Sequence, residues 1–395
     1  MKRLLLSAFA MMSLLQSQAQ NSLPDTAYKP RKLKLEEINF VSSYYQQDGD
    51  NAAVTGGVGS EKLTDIANSI DLKFIRYDKK LRKHNFNFEL GIDHYTSASS
   101  DKVDLKANSS ASSADTRFYP SLSWSMENNK GTTLSAGLSS STEYDYQSFG
   151  ANIGFAKKTK NRMGEFAAKV QVYIDQLKLV TPVEFRASPD PEDAHYGSAG
   201  RNTFAGALSY SQIINKNMQL MFLADVIQQQ GYLGLPFHRV YFDDATVHQE
   251  NLPDSRLKIP LGIRFNYFAG DRFIFRTYYR FYTDNWGLTA HTASLEMPVK
   301  ISPFVSVSPF YRFYQQTAVD YFKPYGEHTG TEQFVTSNYD LSKFNSQFVG
   351  TGIRLTPEKG VFGIKRLSML ELRYGHYIRS THLNSNTVSL NLRFK

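Results

Sequence analysis

Val388-Ser389-Leu390-Asn391-Leu392-Arg393-Phe394-Lys395 closes the chain, and it alternates with a period of two. Val388, Leu390, Leu392 and Phe394 fall on one side; Ser389, Asn391, Arg393 and Lys395 fall on the other. Successive side chains of a strand point to opposite faces of its sheet, so this reads as a strand with one apolar and one polar face. The same pattern recurs upstream. Phe86, Phe88, Leu90 and Ile92 alternate with Asn87, Glu89, Gly91 and Asp93. Phe166, Ala168, Val170, Val172 and Ile174 alternate with polar neighbours, as do Ile259, Leu261, Ile263, Phe265 and Tyr267. Such runs have about the 9–11 residues with which a tilted strand crosses a bilayer.

The chain starts as exported proteins start. Lys2 and Arg3 precede the apolar run Leu4 to Leu15, and Ser17-Gln18-Ala19 supplies small residues for cleavage. Residues 1–19 therefore read as a signal peptide, 20–34 as a short periplasmic segment, and 35–395 as a single barrel domain. The apolar run is shorter than the roughly 20 residues of a spanning helix. The chain has no Cys, which excludes disulfides and thiolate metal sites. No cofactor and no metal is expected. Mean hydropathy is only -0.41, as expected where apolar and polar residues alternate. The 24 Tyr and 28 Phe suit strands and the two membrane–water boundaries. The net charge of +8 is spread along the strands rather than clustered, so the electrostatic footprint of a nucleic-acid binder is missing.

The connections alternate in length for much of the chain. Polar turns fall at residues 127–131, 158–163, 215–217 and 269–272, rich in Asn, Gly and Asp. Between them lie long segments at 46–62, 97–114, 181–200, 230–255 and 317–343. Short periplasmic turns and long extracellular loops are the signature of bacterial outer-membrane barrels. The expected fold is all-β: a transmembrane antiparallel β-barrel of about 16 strands in a Gram-negative outer membrane. Fourteen strands result if the weakly patterned stretches 147–157 and 287–299 are not strands. A soluble secreted sandwich or propeller would also alternate, but would not need this asymmetry of connections.

One stretch departs from the alternation. Asp48-Gly49-Asp50-Asn51-Ala52-Ala53-Val54-Thr55-Gly56-Gly57-Val58-Gly59-Ser60-Glu61-Lys62 follows the first strand, with Asp65 just beyond. Gly56, Gly57 and Gly59 permit tight backbone turns. A phosphate-cradling loop would need a helix and a Lys-Ser/Thr pair after the glycines, and a calcium loop would need a ligand where Ala52 stands. The favoured expectation is a constriction or plug built from Asp48, Gly49, Asp50, Gly56, Gly57, Gly59, Glu61 and Asp65. The stretch Tyr44 to Asp65 resembles the N-terminal signature of an uncharacterised outer-membrane β-barrel family, known only as a domain of unknown function. Gly231 to Val240, Asp320-Tyr321-Phe322 and Tyr339 to Phe344 are similar to the same family. The resemblance implies a barrel and brings no substrate or catalytic residue.

The polar face carries charge. Lys258, Arg264, Arg276, Arg280, Arg312, Arg354 and Arg373 share its phase in the C-terminal half, with Arg393. Asp71, Glu89, Asp93 and Glu165 share it in the N-terminal half, with Lys73 and Lys169. A lipid-facing Arg or Lys at the midplane costs about 2–4 kcal/mol, so these residues should face a lumen with a basic and an acidic wall. That suits a channel for small polar or anionic solutes. Two alternatives are a non-conducting scaffold that holds a periplasmic or surface protein partner, and a surface hydrolase. For the last, the outer loops offer His195, His238, His248 and His328 beside Asp190, Glu192, Asp193, Asp243, Asp244, Glu250 and Glu327, without a close-spaced ligand motif or a Gly-x-Ser-x-Gly turn. Expected partners are outer-membrane lipid and the barrel-assembly machinery, which would read the C-terminal strand; Lys395 departs from the usual terminal aromatic.

Overall fold

The computed structural model describes residues 32–96, 114–186 and 196–395. The expected signal peptide and loop residues Asp190, Glu192, Asp193 and His195 lie outside them. The strands are β1 (Lys34–Asp48), β2 (Leu63–Tyr77), β3 (Lys83–Thr96), β4 (Ala114–Glu127), β5 (Thr132–Thr142), β6 (Tyr146–Lys158), β7 (Gly164–Lys178), β8 (Ser198–Asn215) and β9 (Met218–Gly231). After them come β10 (Arg239–Tyr241), β11 (Val247–Gln249), β12 (Ser255–Ala269), β13 (Phe273–Asp284), β14 (Thr289–Glu296), β15 (Val299–Ser302), β16 (Val305–Gln316), β17 (Phe344–Leu355), β18 (Leu367–Arg379) and β19 (Leu383–Phe394).

Each wall strand pairs antiparallel with its neighbour in sequence, and β9 pairs with β12. The sheet closes because β1 pairs with both β2 and β19, so no edge is left to template aggregation. β14 and β15 form one stave between β13 and β16, interrupted where Pro298 lacks an N–H for the ladder. The barrel thus has 16 strands among the described residues. The stretch 287–299 is weakly patterned in sequence because of this break.

Phe394 pairs with Ile38, which puts the start of β1 and the end of β19 at one rim. That rim carries the turns 78–82, 128–131, 159–163, 216–217, 270–272 and 303–304, and the longer connection 356–366. Local chemistry closes them. In the turn 128–131, Asn128 Oδ1 accepts from the amides of Lys130 and Thr132, both at 3.0 Å, and Gly131 takes φ 69°. The opposite rim carries the long loops, but the length asymmetry is incomplete. Residues 143–145, 285–288 and 380–382 are as short as turns.

Leu138, Phe149 and Ile153 are about two-thirds exposed, and Phe204, Leu208, Phe222 and Val226 about half exposed, all on one face of the wall. An apolar band of this extent needs lipid against it. Inside and outside are therefore inverted relative to a soluble protein. Most of the buried apolar side chains lie at the long-loop rim rather than in the wall: Val54, Val180, Val240, Phe242, Trp286, Val319 and Val335.

Candidate functional site

The glycine-rich loop, residues 49–62, folds into a compact lobe. Ala53–Thr55 make a single 3-10 turn, and Ala52 N donates to Gly59 O at 3.2 Å. Gly56, Gly57 and Gly59 have φ of 78°, 88° and 91°. Two of these glycines also permit close approach. A Cβ on Gly56 would stand 2.5 Å from the Tyr241 ring, and one on Gly57 would stand 2.6 Å from Ser337 O. At the base of the lobe Asn51 N donates to Glu61 Oε2 at 3.1 Å, while Arg379 lies 3.9 Å from Glu61 and donates to Asp340 at 2.6 Å. Burial pushes the Glu61 carboxyl up, despite the Asn51 amide and the Arg379 guanidinium. Of the other residues expected in the plug, Asp48 pairs loosely with Lys62 at 3.8 Å, Gly49 packs against Glu61, Asp50 is exposed, and Asp65 sits in β2 opposite Tyr45.

The tip of the lobe reaches far from its roots. Val54 packs on Val180, Tyr196 and Phe237, and Val54 O accepts from Arg239 Nη1 at 2.9 Å. Arg239 also pairs with Glu184 at 2.5 Å. Residues 49–62 leave between β1 and β2, whereas Phe237 and Arg239 belong to the loop between β9 and β12, halfway around the closed ring. Contacts between those loops require the two of them together to span the mouth. Residues 317–343 complete this roof. Trp286, Leu288 and Val319 pack with Leu233 and Tyr321, and Val335 packs with Val240 and Phe242.

Three of the groups weighed for catalysis, His238, Glu250 and His328, serve as ties in this roof. Glu250 accepts from Thr336 Oγ1 at 2.5 Å and Leu235 N at 3.0 Å, with His238 Nδ1 at 3.4 Å. Burial pushes the Glu250 carboxyl up, but His238 and these donors outweigh it and hold the group below its usual value. His328, 1% exposed, contacts Glu332 at 2.7 Å and Thr336 O at 3.1 Å. Asp243 and Asp244 are exposed on the β10–β11 hairpin, where Asp244 accepts from Thr246 Oγ1 at 2.6 Å and Thr246 Oγ1 contacts the exposed His248 at 3.0 Å.

Below the roof, the inward faces form two unlike walls. In the C-terminal half the cations climb the wall as a staircase. Arg354 and Arg373 pair with Glu371 at 2.7 and 3.0 Å, and Arg373 and Arg276 share Glu296 at 2.9 and 3.3 Å. Next come Arg264, Arg280 and Arg312, which make no ion pair within 4.0 Å among the described residues, although Asp225 lies within electrostatic reach of Arg280. Their guanidinium groups lie over the rings of Tyr278, Tyr282 and Phe348 at 5.2, 5.9 and 5.1 Å. At the top Lys258 sits opposite Asp284, which Arg256 holds at 2.5 Å. Arg393 stands apart where the start of β1 meets the end of β19, 3.5 Å from Glu37. A cavity of about 540 Å³ is lined by Arg264, Arg276, Arg312 and Arg373 against the single carboxylate of Glu296.

The N-terminal wall is charge-balanced rather than acidic. Its cavity of about 390 Å³ is lined by Glu89 and Asp175 but also by Arg117 and Arg201, with Ser121 and Ser148 between. Register is the reason: Arg117 lies opposite Asp93, and Arg201 lies opposite Asp175 and binds it at 3.1 Å. The expected acidic residues are occupied nearby. Asp71 accepts from Asn87 at 2.7 Å and Asp93 from Tyr119 at 2.8 Å, while Glu165 lies opposite Lys158 near the turn rim.

Three carboxylates that sequence patterning missed converge at the long-loop rim. Asp115, Glu143 and Asp145 place one oxygen each within 4.8 Å of one another. Asp115 lies 28 and 30 positions from Glu143 and Asp145, across the β4–β5 hairpin, so no sequence spacing marks the trio. Burial first, then repulsion from Asp115 and Glu143, pushes the Asp145 carboxyl up to about 6. A raised carboxyl destabilises the fold once ionised, so this corner should weaken as pH rises from 3.8 through about 6. Asp145→Asn should therefore stabilise the protein by about 1 kcal/mol at pH 7, after allowance for solvent screening, and leave it unchanged near pH 4. Thermal unfolding in detergent followed by circular dichroism reads this difference; equal gains at both pH values would contradict it.

The chain belongs to the family described as "Protein of unknown function (DUF3570)", whose model matches residues 1–369. No curated protein matches it. Among solved structures it is similar to a BenF-like porin from Pseudomonas fluorescens Pf-5, with 9% identity, a TM-score of 0.43, and coverage of 91% of this chain and 98% of that one. It is also similar to OccAB3 of Acinetobacter baumannii, with 8% identity, a TM-score of 0.41 and coverage of 91% and 98%. CdiB from Acinetobacter baumannii matches with 8% identity and a TM-score of 0.48, over 91% of this chain and 60% of that one. The assignment as a porin-like barrel stands on this chain's own strand pairing and lipid-facing band.

Proposed function

We propose that this family member is a roofed channel of the Gram-negative outer membrane that passes small polar solutes and favours anions. The observation that carries it is the cavity lined by four arginines and one carboxylate. A net positive wall inside a low-dielectric barrel raises the local concentration of anions and lowers their cost of entry. The balanced, serine-lined wall opposite offers hydrogen bonds without a net field. Solutes would pass between the two walls, with the roof setting access from outside.

The roof also favours a second reading, a non-conducting barrel that displays its loops to a protein partner. Reconstitution in planar bilayers under a salt gradient separates the two. The channel reading expects conductance steps whose reversal potential indicates anion preference, and a shift toward cations when Arg264 and Arg312 are both replaced by Glu. Absence of steps from folded protein, both intact and with the roof loop removed, would leave only the second reading.

A further inference from the structure

We infer that the basic wall holds a two-point binding site for organic dianions, built on the row Arg264, Tyr278, Ser294 and Arg312, a site that rests on reading the lumen as a solute path. These four residues are consecutive cross-strand partners on β12, β13, β14 and β16, so their side chains point to one face. All four line the same cavity. No ion pair or hydrogen bond among the described residues engages either guanidinium, the Tyr278 hydroxyl or the Ser294 hydroxyl. The other two arginines of the cavity have partners, Arg276 and Arg373 both taking Glu296, and Arg354 below takes Glu371.

Geometry restricts what such a row can bind. The rings of Tyr278 and Phe348 cover a face of each guanidinium, at 5.2 and 5.1 Å. The N–H edges remain, and these suit bidentate recognition of a carboxylate or phosphate. Three strand spacings put the two Cα atoms about 14 Å apart, and inward-pointing arms on a concave wall narrow that gap. Allowing about 3 Å for each charge-assisted contact, the two anionic groups of a bridging ligand stand roughly 6–8 Å apart. Between them lie two hydroxyls, able to receive a polar middle. A monoanion would neutralise only one of the two cations, and a compact dianion such as sulfate would reach only one.

The test is calorimetry on full-length mature barrel in detergent micelles, with a series of dicarboxylates from malonate through succinate to adipate. 3-Phosphoglycerate tests phosphate as one of the two groups, and hexanoate and sulfate are comparators. Affinity should rise with chain length, and adipate should bind about tenfold more tightly than hexanoate or sulfate. Arg264→Gln and Arg312→Gln should each remove the length dependence. Arg354→Gln, whose partner is Glu371 outside the cavity, should leave it, which controls for general loss of positive charge. Native-like migration of unheated samples on gels confirms folding of each variant. The inference is overturned by adipate binding no more tightly than hexanoate, or by a length dependence that survives both Gln variants. Binding requires no conduction. Dianion binding without conductance would refute the channel and keep the site; anion-selective conductance without binding would do the reverse.

Discussion

Excision of residues 50–60, with the ends of β1 and β2 rejoined by a tight turn, should raise the single-channel conductance of the proposed channel several-fold. The wall should tolerate this. Pairing of β1 with β2 runs to Gln47 and Leu63, so the excised stretch contributes nothing to the ladder. The roof should not tolerate it. The lobe is one side of the bridge between β1–β2 and the loop that joins β9 to β12, and without it Val54 no longer covers Val180 and Arg239 loses the Val54 carbonyl. A 16-stranded barrel encloses a water-filled lumen unless something folds over it. Planar-bilayer recordings of the intact and shortened chains measure the difference. Equal conductance would mean that the lobe does not limit passage.

Trp286→Ala should loosen the roof by about 3–5 kcal/mol while the wall persists. Trp286 is 2% exposed and anchors Leu288, Val319 and Tyr321 in one cluster. Its Nε1 donates to Ser255 O at 2.9 Å, and Arg256 lies 4.2 Å over its ring. Removing the ring therefore leaves a cavity, an unmatched carbonyl and a guanidinium without its stacking face. Trp286→Phe keeps most of the packing and should lose about 1 kcal/mol for the missing hydrogen bond. Roof opening is a local event, so the readout is limited proteolysis in residues 317–343 against urea concentration. Cleavage in the Ala variant should begin at lower urea than global unfolding of the barrel. Coincident transitions in both variants would show that roof and wall unfold as one unit.

Most of the wall was legible from periodicity. The closing run Val388 to Phe394 repeats on strand after strand, and the apolar phase fell on the exposed face wherever the pattern was clean. Two stretches read weakly: 147–157, which forms the continuous strand β6, and 287–299. Residues 287–299 read weakly because Pro298 interrupts the ladder between β14 and β15, which still act as one stave. The staircase was legible for the same reason, since phase alone tells which way Arg264, Arg276 and Arg312 point. The balanced opposite wall was not. Arg117 and Arg201 acquire their roles from cross-strand register with Asp93 and Asp175, and register depends on turn geometry and partner choice rather than on one strand's pattern.

The roof shows the limit most clearly. The glycines marked residues 56–59 as unusual, and their freedom at positive φ is a property of the residue type. That they press against Tyr241 and Ser337, nearly 200 and 300 positions away, was settled by closure of the ring. Likewise His238, Glu250 and His328 looked like candidate catalysts in the chain and became buried ties once the loops met. The sequence by itself determined the period-two alternation, hence the membrane-spanning barrel, its two rims and the inward direction of its charges. Only the tertiary structure decided which charges found partners, because pairing requires two strands to meet within a few ångströms. Arg264 and Arg312 differ from Arg276 and Arg373 in no local pattern. What separates them is the single carboxylate, Glu296, that the folded wall places beside one pair and not the other.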